Sequence, residues 1–208
     1  WSRLGDRFSP AGYYRVSLSK MPSEDSFELV AICTDLGLFF KDILAEYEDA
    51  RVFLERALSI CESTVGPDHP DTAASLNSLA ALYRAYGDYA SARHLYERAL
   101  SIRERMLGSD HPDTAESLND LAGLYVVDGD YALARPLYER VILFRERMLG
   151  PDHPDTAASL NSLAGLFFEE GDFVSARPLY ERALSIRERI LGPDHPDTAT
   201  SLNSLAGL

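Results

Sequence analysis

The chain has 208 residues, 46% hydrophobic and 25% charged, a balance that suits a soluble fold with a sizeable core. Its net charge of −13 argues against nucleic acid, whose phosphates need a basic footprint. No apolar run approaches the roughly 18 residues of a membrane span, so no membrane partner is expected. The opening WSRLGDRFSP has neither an initiator Met nor a signal-peptide layout, and a cytoplasmic piece of a longer chain is expected.

Residues 1–24 contain a Pro-Ala-Gly turn followed by alternating Tyr14, Val16 and Leu18, the pattern of a strand or hairpin, or the tail of an upstream domain. Residues 25–65 read as a divergent helix pair. The second half, EYEDARVFLERALSICESTVG (46–66), aligns without gaps on DYASARHLYERALSIRERMLG (88–108). In the first half LGLFF echoes LAGLFF (163–168) if one residue is inserted in the following turn, where Ala45 replaces a glycine. Cys33 and Cys61 have no metal or disulfide spacing and read as free thiols. Cys61 takes the place of an arginine expected to be exposed, so a surface thiol is expected there.

From residue 66 one phrase recurs. GPDHPDTAASLNSLA (66–80) has near copies beginning at 108, 150 and 192, a period of 42 residues. Leu76, Leu79, Ala80 and Tyr83 fall on one face of a first helix. Pro70 suits its first turn, Asp68, His69 or Asp71 can cap it, and Gly87 ends it. Asp88 caps a second helix whose apolar face runs Ala92, Leu95, Tyr96, Ala99, Ile102 and Met106. Arg103 and Arg105 suit its C-terminal dipole. The small Ala80, Ala92 and Ala99 let the two backbones approach. Such a hairpin cannot bury both faces alone, so stacked copies must share a core. The units are 66–107, 108–149 and 150–191, with a truncated first helix at 192–208.

Leu76, Leu79-Ala80, Tyr83, Gly87, Ala92, Tyr96 and Ala99 resemble the tetratricopeptide repeat (TPR), and the LNSLA and DHPDT phrases are similar to the 42-residue variant of kinesin light chains and of STAND-type NTPase arrays. The resemblance implies an all-α, right-handed superhelical solenoid of stacked antiparallel hairpins. It also implies a concave groove lined by first helices, where extended peptides bind. Carried onto this sequence, the groove positions are Asn77, Ser78, Ala81 and Arg84, then Glu116, Asn119, Asp120, Val126 and Val127, then Asn161, Ser162, Phe168 and Glu169, and finally Asn203. A carboxamide can pair with one peptide unit of a ligand. The four asparagines therefore read as backbone readers, as ties between neighbouring helices, or as residues simply carried along when the unit was copied.

Between copies, the end of the first helix changes from RAY (84–86) to VVD (126–128) to FEE (168–170), while core and turn residues stay fixed. The arginines of the second helix also barely change, which favours variation for recognition over drift. Acids and apolar spots with a single cation, Arg84, suit a basic segment carrying an apolar anchor. His69, His111, His153 and His195 sit in separate repeats, on the order of 10 Å or more apart, so they read as caps and not as a metal site. There is no P-loop, GxSxG or HExxH, and no catalytic residue, cofactor or metal is expected. The expected function is a non-catalytic protein-interaction module, adaptor or scaffold. A STAND-like sensor array and the regulatory region of an enzyme with its catalytic domain elsewhere are the alternatives. Leu202, Leu205 and Leu208 lack a following second helix, and end-to-end self-association through them is expected.

Overall fold

The computed structural model describes residues 27–208. The expected strand or hairpin at 1–24 lies outside them. Nine α-helices and one π turn, and no strand, are found among the described residues. In chain order they are α1 (Phe27–Phe39), the π turn (Phe40–Leu44), α2 (Tyr47–Thr64), α3 (Pro70–Tyr86), α4 (Tyr89–Leu107), α5 (Pro112–Asp128), α6 (Tyr131–Met148), α7 (Pro154–Glu169), α8 (Phe173–Leu191) and α9 (Pro196–Ala206). They alternate as first and second helices of hairpins and divide into two compact units, one ending at Met106 and the other Leu107–Leu208.

Each repeat's loop is built from local rules. His69, His111, His153 and His195 are the N-caps of α3, α5, α7 and α9, and each Nδ1 accepts from the backbone N–H two residues on, at 3.1–3.2 Å. Proline follows at the first helical position, where its missing N–H costs nothing. The threonine of DHPDT is fully buried. Its hydroxyl donates to the carbonyl of the loop glycine six residues earlier, at 2.7–2.9 Å. The histidines are thus loop fasteners, as their spacing indicated.

The turn inside each hairpin closes with a bond spanning five residues: Asp88 to Tyr83 at 2.9 Å, Asp130 to Tyr125 at 2.8 Å, and Asp172 to Phe167 at 2.8 Å. In the first hairpin the matching bond runs from Glu46 N–H to the Phe40 carbonyl at 3.0 Å and spans six. The inserted residue is absorbed by the π turn, a helix wound one residue wider. Ala45, in the glycine's place, holds φ 52° and ψ 29°, a left-handed conformation that a Cβ disfavours.

In the first unit, Phe40 stacks on Phe53 (5.2 Å between centroids) and joins Ala50, Leu54, Leu79 and Leu82 in one cluster. Gly37 lets α1 approach α2: a Cβ there would lie 2.5 Å from Leu54 Cγ. In the second unit, Ala164, Ala176 and Tyr180 form a cluster against which Leu205 and Leu208 pack. Leu202 is 44% exposed, whereas its counterpart Leu160 is 2% exposed. The apolar stripe inferred for α4 is correct through Ile102 but not at Met106, which is 53% exposed.

Candidate functional site

Most of the charge on the second helices is spent within the fold. In the first unit Arg98 donates to Glu62 (2.7 Å) and the Pro67 carbonyl, and Arg105 pairs with Asp68 at 2.6 Å. In the second, Arg182 repeats the first arrangement with Glu146 and the Pro151 carbonyl. Arg147 pairs with Asp110, and Arg189 with Asp152. A second arginine of each repeat turns inward. Arg145 Nη1 donates to the Asp155 carbonyl (2.8 Å) and Ser159 Oγ (2.7 Å), and Arg187 does the same with Asp197 and Ser201.

Two expectations are corrected here. Arg103 and Arg187 are buried, at 4% and 7% exposure, so the position is not an exposed one. Cys61, which replaces the arginine there, is fully buried and not a surface thiol; its Sγ lies 3.3 Å from Ser75 Oγ. Burial pushes both thiols up, with Ser75 partly opposing this at Cys61 and Arg56 at Cys33. The thiolate needed for a nucleophile is therefore disfavoured. The constancy of the second-helix arginines also loses its force as a measure of drift. Their side chains are bonding partners, which is reason enough for them to stay the same.

The residues placed in a groove by resemblance have distinct environments. In the first unit, Asn77 is 8% exposed, Ser78 and Ala81 are half-buried, and Arg84 is exposed. In the second unit, Asn119, Asp120, Val126, Asn161, Ser162 and Phe168 are half-buried. Glu116, Val127, Glu169 and Asn203 are exposed. Ser78 and Ser162 donate to the carbonyls of Ala74 and Ala158, so their hydroxyls are held on their own helices. Phe168 meets Phe173 edge-on at 5.5 Å and packs on the Ala164–Ala176–Tyr180 cluster, so it also contributes to stability. Asn161 Oδ1 is buried without a hydrogen-bond partner.

A cleft of about 480 Å³ beside Glu116 was not legible in the sequence. Ala115, Phe144, Met148 and Leu149 form its apolar wall, and Asp113, Glu116 and Asp155 supply acids. Arg145 also lines it, with Nη1 committed to the bonds above. The one available signal was VILF (141–144) in α6, where the neighbouring repeats read ALSI. Among the described residues no group of His, Cys, Asp and Glu is arranged to hold a metal ion, and no helix is long and apolar enough to cross a membrane.

Helix pairs at a fixed period, alanine contacts between them and loops closed by His, Pro and Thr are the features a family comparison can test. A model of the tetratricopeptide repeat matches residues 33–105, 87–142, 113–189 and 160–208. The chain belongs to the tetratricopeptide repeat family. Its fold is similar to two crystal structures of a Podosopora anserina protein assigned to the kinesin light chains, with nearly identical TPR-like repeats. Both give a TM-score of 0.78, at 28% and 27% identity. They cover 89% and 88% of this chain, and 87% of the other chain in each case. BtubC (BKLC) from P. vanneervenii follows at 0.74 and 25% identity, over 94% of this chain and 78% of that one. Among curated proteins, mouse nephrocystin-3 is 47% identical over 96 residues. That match takes in 42% of this chain and spans only 7% of nephrocystin-3. TPR arrays are protein-interaction modules that generally bind protein or peptide partners, and the fold is typically non-catalytic.

Proposed function

We propose that this TPR array binds an extended partner segment carrying Lys or Arg and an apolar anchor. The observation that carries this reading is the cleft beside Glu116, where acids and an apolar wall occur together. A basic residue complements Asp113 and Glu116 there, and an aliphatic or aromatic side chain covers Met148 and Leu149, which are 55% and 45% exposed. Positions that differ between copies support it as well. Val126, Val127 and Glu169 are half-buried or exposed, and the half-buried Asn119 and Asn161 are candidate partners for ligand backbone.

The test is a fluorescence titration of labelled basic–apolar and acidic peptides against the full chain, at low and moderate salt. Glu116→Lys replaces an attraction with a repulsion and is expected to weaken the basic set about three- to tenfold, roughly 0.7–1.4 kcal/mol. Asn161→Ala should weaken it without lowering the melting temperature, since Oδ1 has no bond to lose and alanine is the better helix former. Tighter binding of the acidic peptides would overturn the proposal. The exposed Leu202 separately supports self-association through α9. Light scattering over a concentration series should then show mass rising with concentration, and a strict monomer refutes it.

A further inference from the structure

A second site, in the first unit and apart from the cleft, is visible when two repeats are compared. In the second unit the Arg135 guanidinium of α6 lies 4.8 Å from the Phe167 ring centroid, and its Nη2 reaches Glu170 at 2.6 Å. The same positions in the first unit are Arg51, Tyr83 and Tyr86, so the acid that draws the arginine across is a tyrosine there. Glu48 also stands where the second unit has Ala132. Arg51 consequently stays on its own helix, with Nη2 on Glu48 at 2.8 Å and Nη1 on Glu55 at 3.1 Å. The place over the Tyr83 ring opens as a slot of about 170 Å³. Tyr47 and Tyr86 wall it, edge to face with centroids 5.9 Å apart, and Leu82 is its buried floor.

We propose that this slot binds the arginine side chain of a partner protein, in the place that Arg135 fills internally in the other unit. The ring faces offer the quadrupole a planar cation seeks, and the apolar floor covers its methylene stem. Glu48 and Arg51 line the slot, and Glu55 and Asp88 also act on the Tyr83 hydroxyl, so three carboxylates against one guanidinium leave its surroundings net negative. That charge favours a cation and disfavours a carboxylate. An aromatic side chain would match the walls but leave the rim charge unanswered.

The test titrates the full chain with Gly/Ser-flanked pentapeptides carrying one central Arg, Lys, Phe or Glu, read by tyrosine ring NMR shifts. The Arg peptide should bind tightest and perturb Tyr47, Tyr83 and Tyr86. Tyr86→Glu, at a 61% exposed position that tolerates exchange, rebuilds the acid of the other repeat. Arg51 should then swing over Tyr83 and close the slot, weakening the Arg peptide tenfold or more although the variant adds negative charge. Arg51→Gln should hold or raise the affinity severalfold. Stronger binding to Tyr86→Glu would reduce the site to a generic acidic surface and overturn the proposal. A Phe peptide that outbinds the Arg peptide would do the same.

Discussion

Arg145 offers the most direct test of how neighbouring hairpins are joined. Its Nη1 ties α6 to the start of α7 through the Asp155 carbonyl at 2.8 Å and Ser159 Oγ at 2.7 Å. Two bonds from a charged donor contribute about 3–6 kcal/mol before offsets. Part of that is recovered on removal, because Ser159 Oγ also reaches the Asp155 carbonyl at 3.3 Å and keeps it satisfied. Release of the arginine side chain returns up to about 2 kcal/mol of entropy. Arg145→Met, which keeps the aliphatic stem, should therefore cost about 2 kcal/mol. At this chain length that is a fall of about 4–8 °C in melting temperature. Stacked repeats communicate through nearest-neighbour interfaces, so amide exchange should quicken in α7 and α8 and not in α2. Adding Ser159→Ala should reveal a coupling of about 1 kcal/mol by double-mutant cycle. Arg147→Met is the control. Its pair with Asp110 is more than half exposed on both sides, so less than about 0.5 kcal/mol is expected. Equal losses at Arg145 and Arg147, or no coupling to Ser159, would refute the assignment of Arg145 as a structural tie.

Three further outcomes are expected. Gly37→Ala places a methyl 2.5 Å from Leu54 Cγ and should cost about 1–3 kcal/mol, measured by urea unfolding. Ala45→Gly relieves the left-handed φ of 52° and should stabilise by about 1 kcal/mol; a loss would mean the π turn needs the methyl. Asp172, bonded by the hydroxyl and amide of Ser175, is held below the usual aspartate range. A depressed folded value means its stabilisation is present above the unfolded value and lost as pH falls through the folded one. Its carboxyl carbon should thus titrate by NMR at lower pH in the folded chain than in Ser175→Ala.

The sequence carried the repeat directly, because its signals are local. A histidine two residues before the N–H it accepts, a proline at the first helical position and a threonine six residues after the glycine it closes on all lie within one loop. They recur wherever the loop recurs. The alanines at 80, 92 and 99 and the inserted residue before Glu46 were readable for the same reason. The fate of the polar side chains was not. Arg145 meets Ser159 at a separation of 14 residues, Arg182 meets Glu146 at 36, and Arg147 meets Asp110 at 37. Packing of one hairpin on the next sets the first two distances and closure of a hairpin the third, and the former turned arginines that read as exposed into internal ties. Which acids lie within reach also decided that Arg135 crosses to Glu170 while Arg51, with Tyr86 in place of that acid and Glu48 on its own helix, does not, and a slot stays open beside Tyr83. Backbone geometry is fixed by neighbours along the chain, whereas the partner of a long charged side chain is fixed by whichever group the tertiary contact brings within its reach.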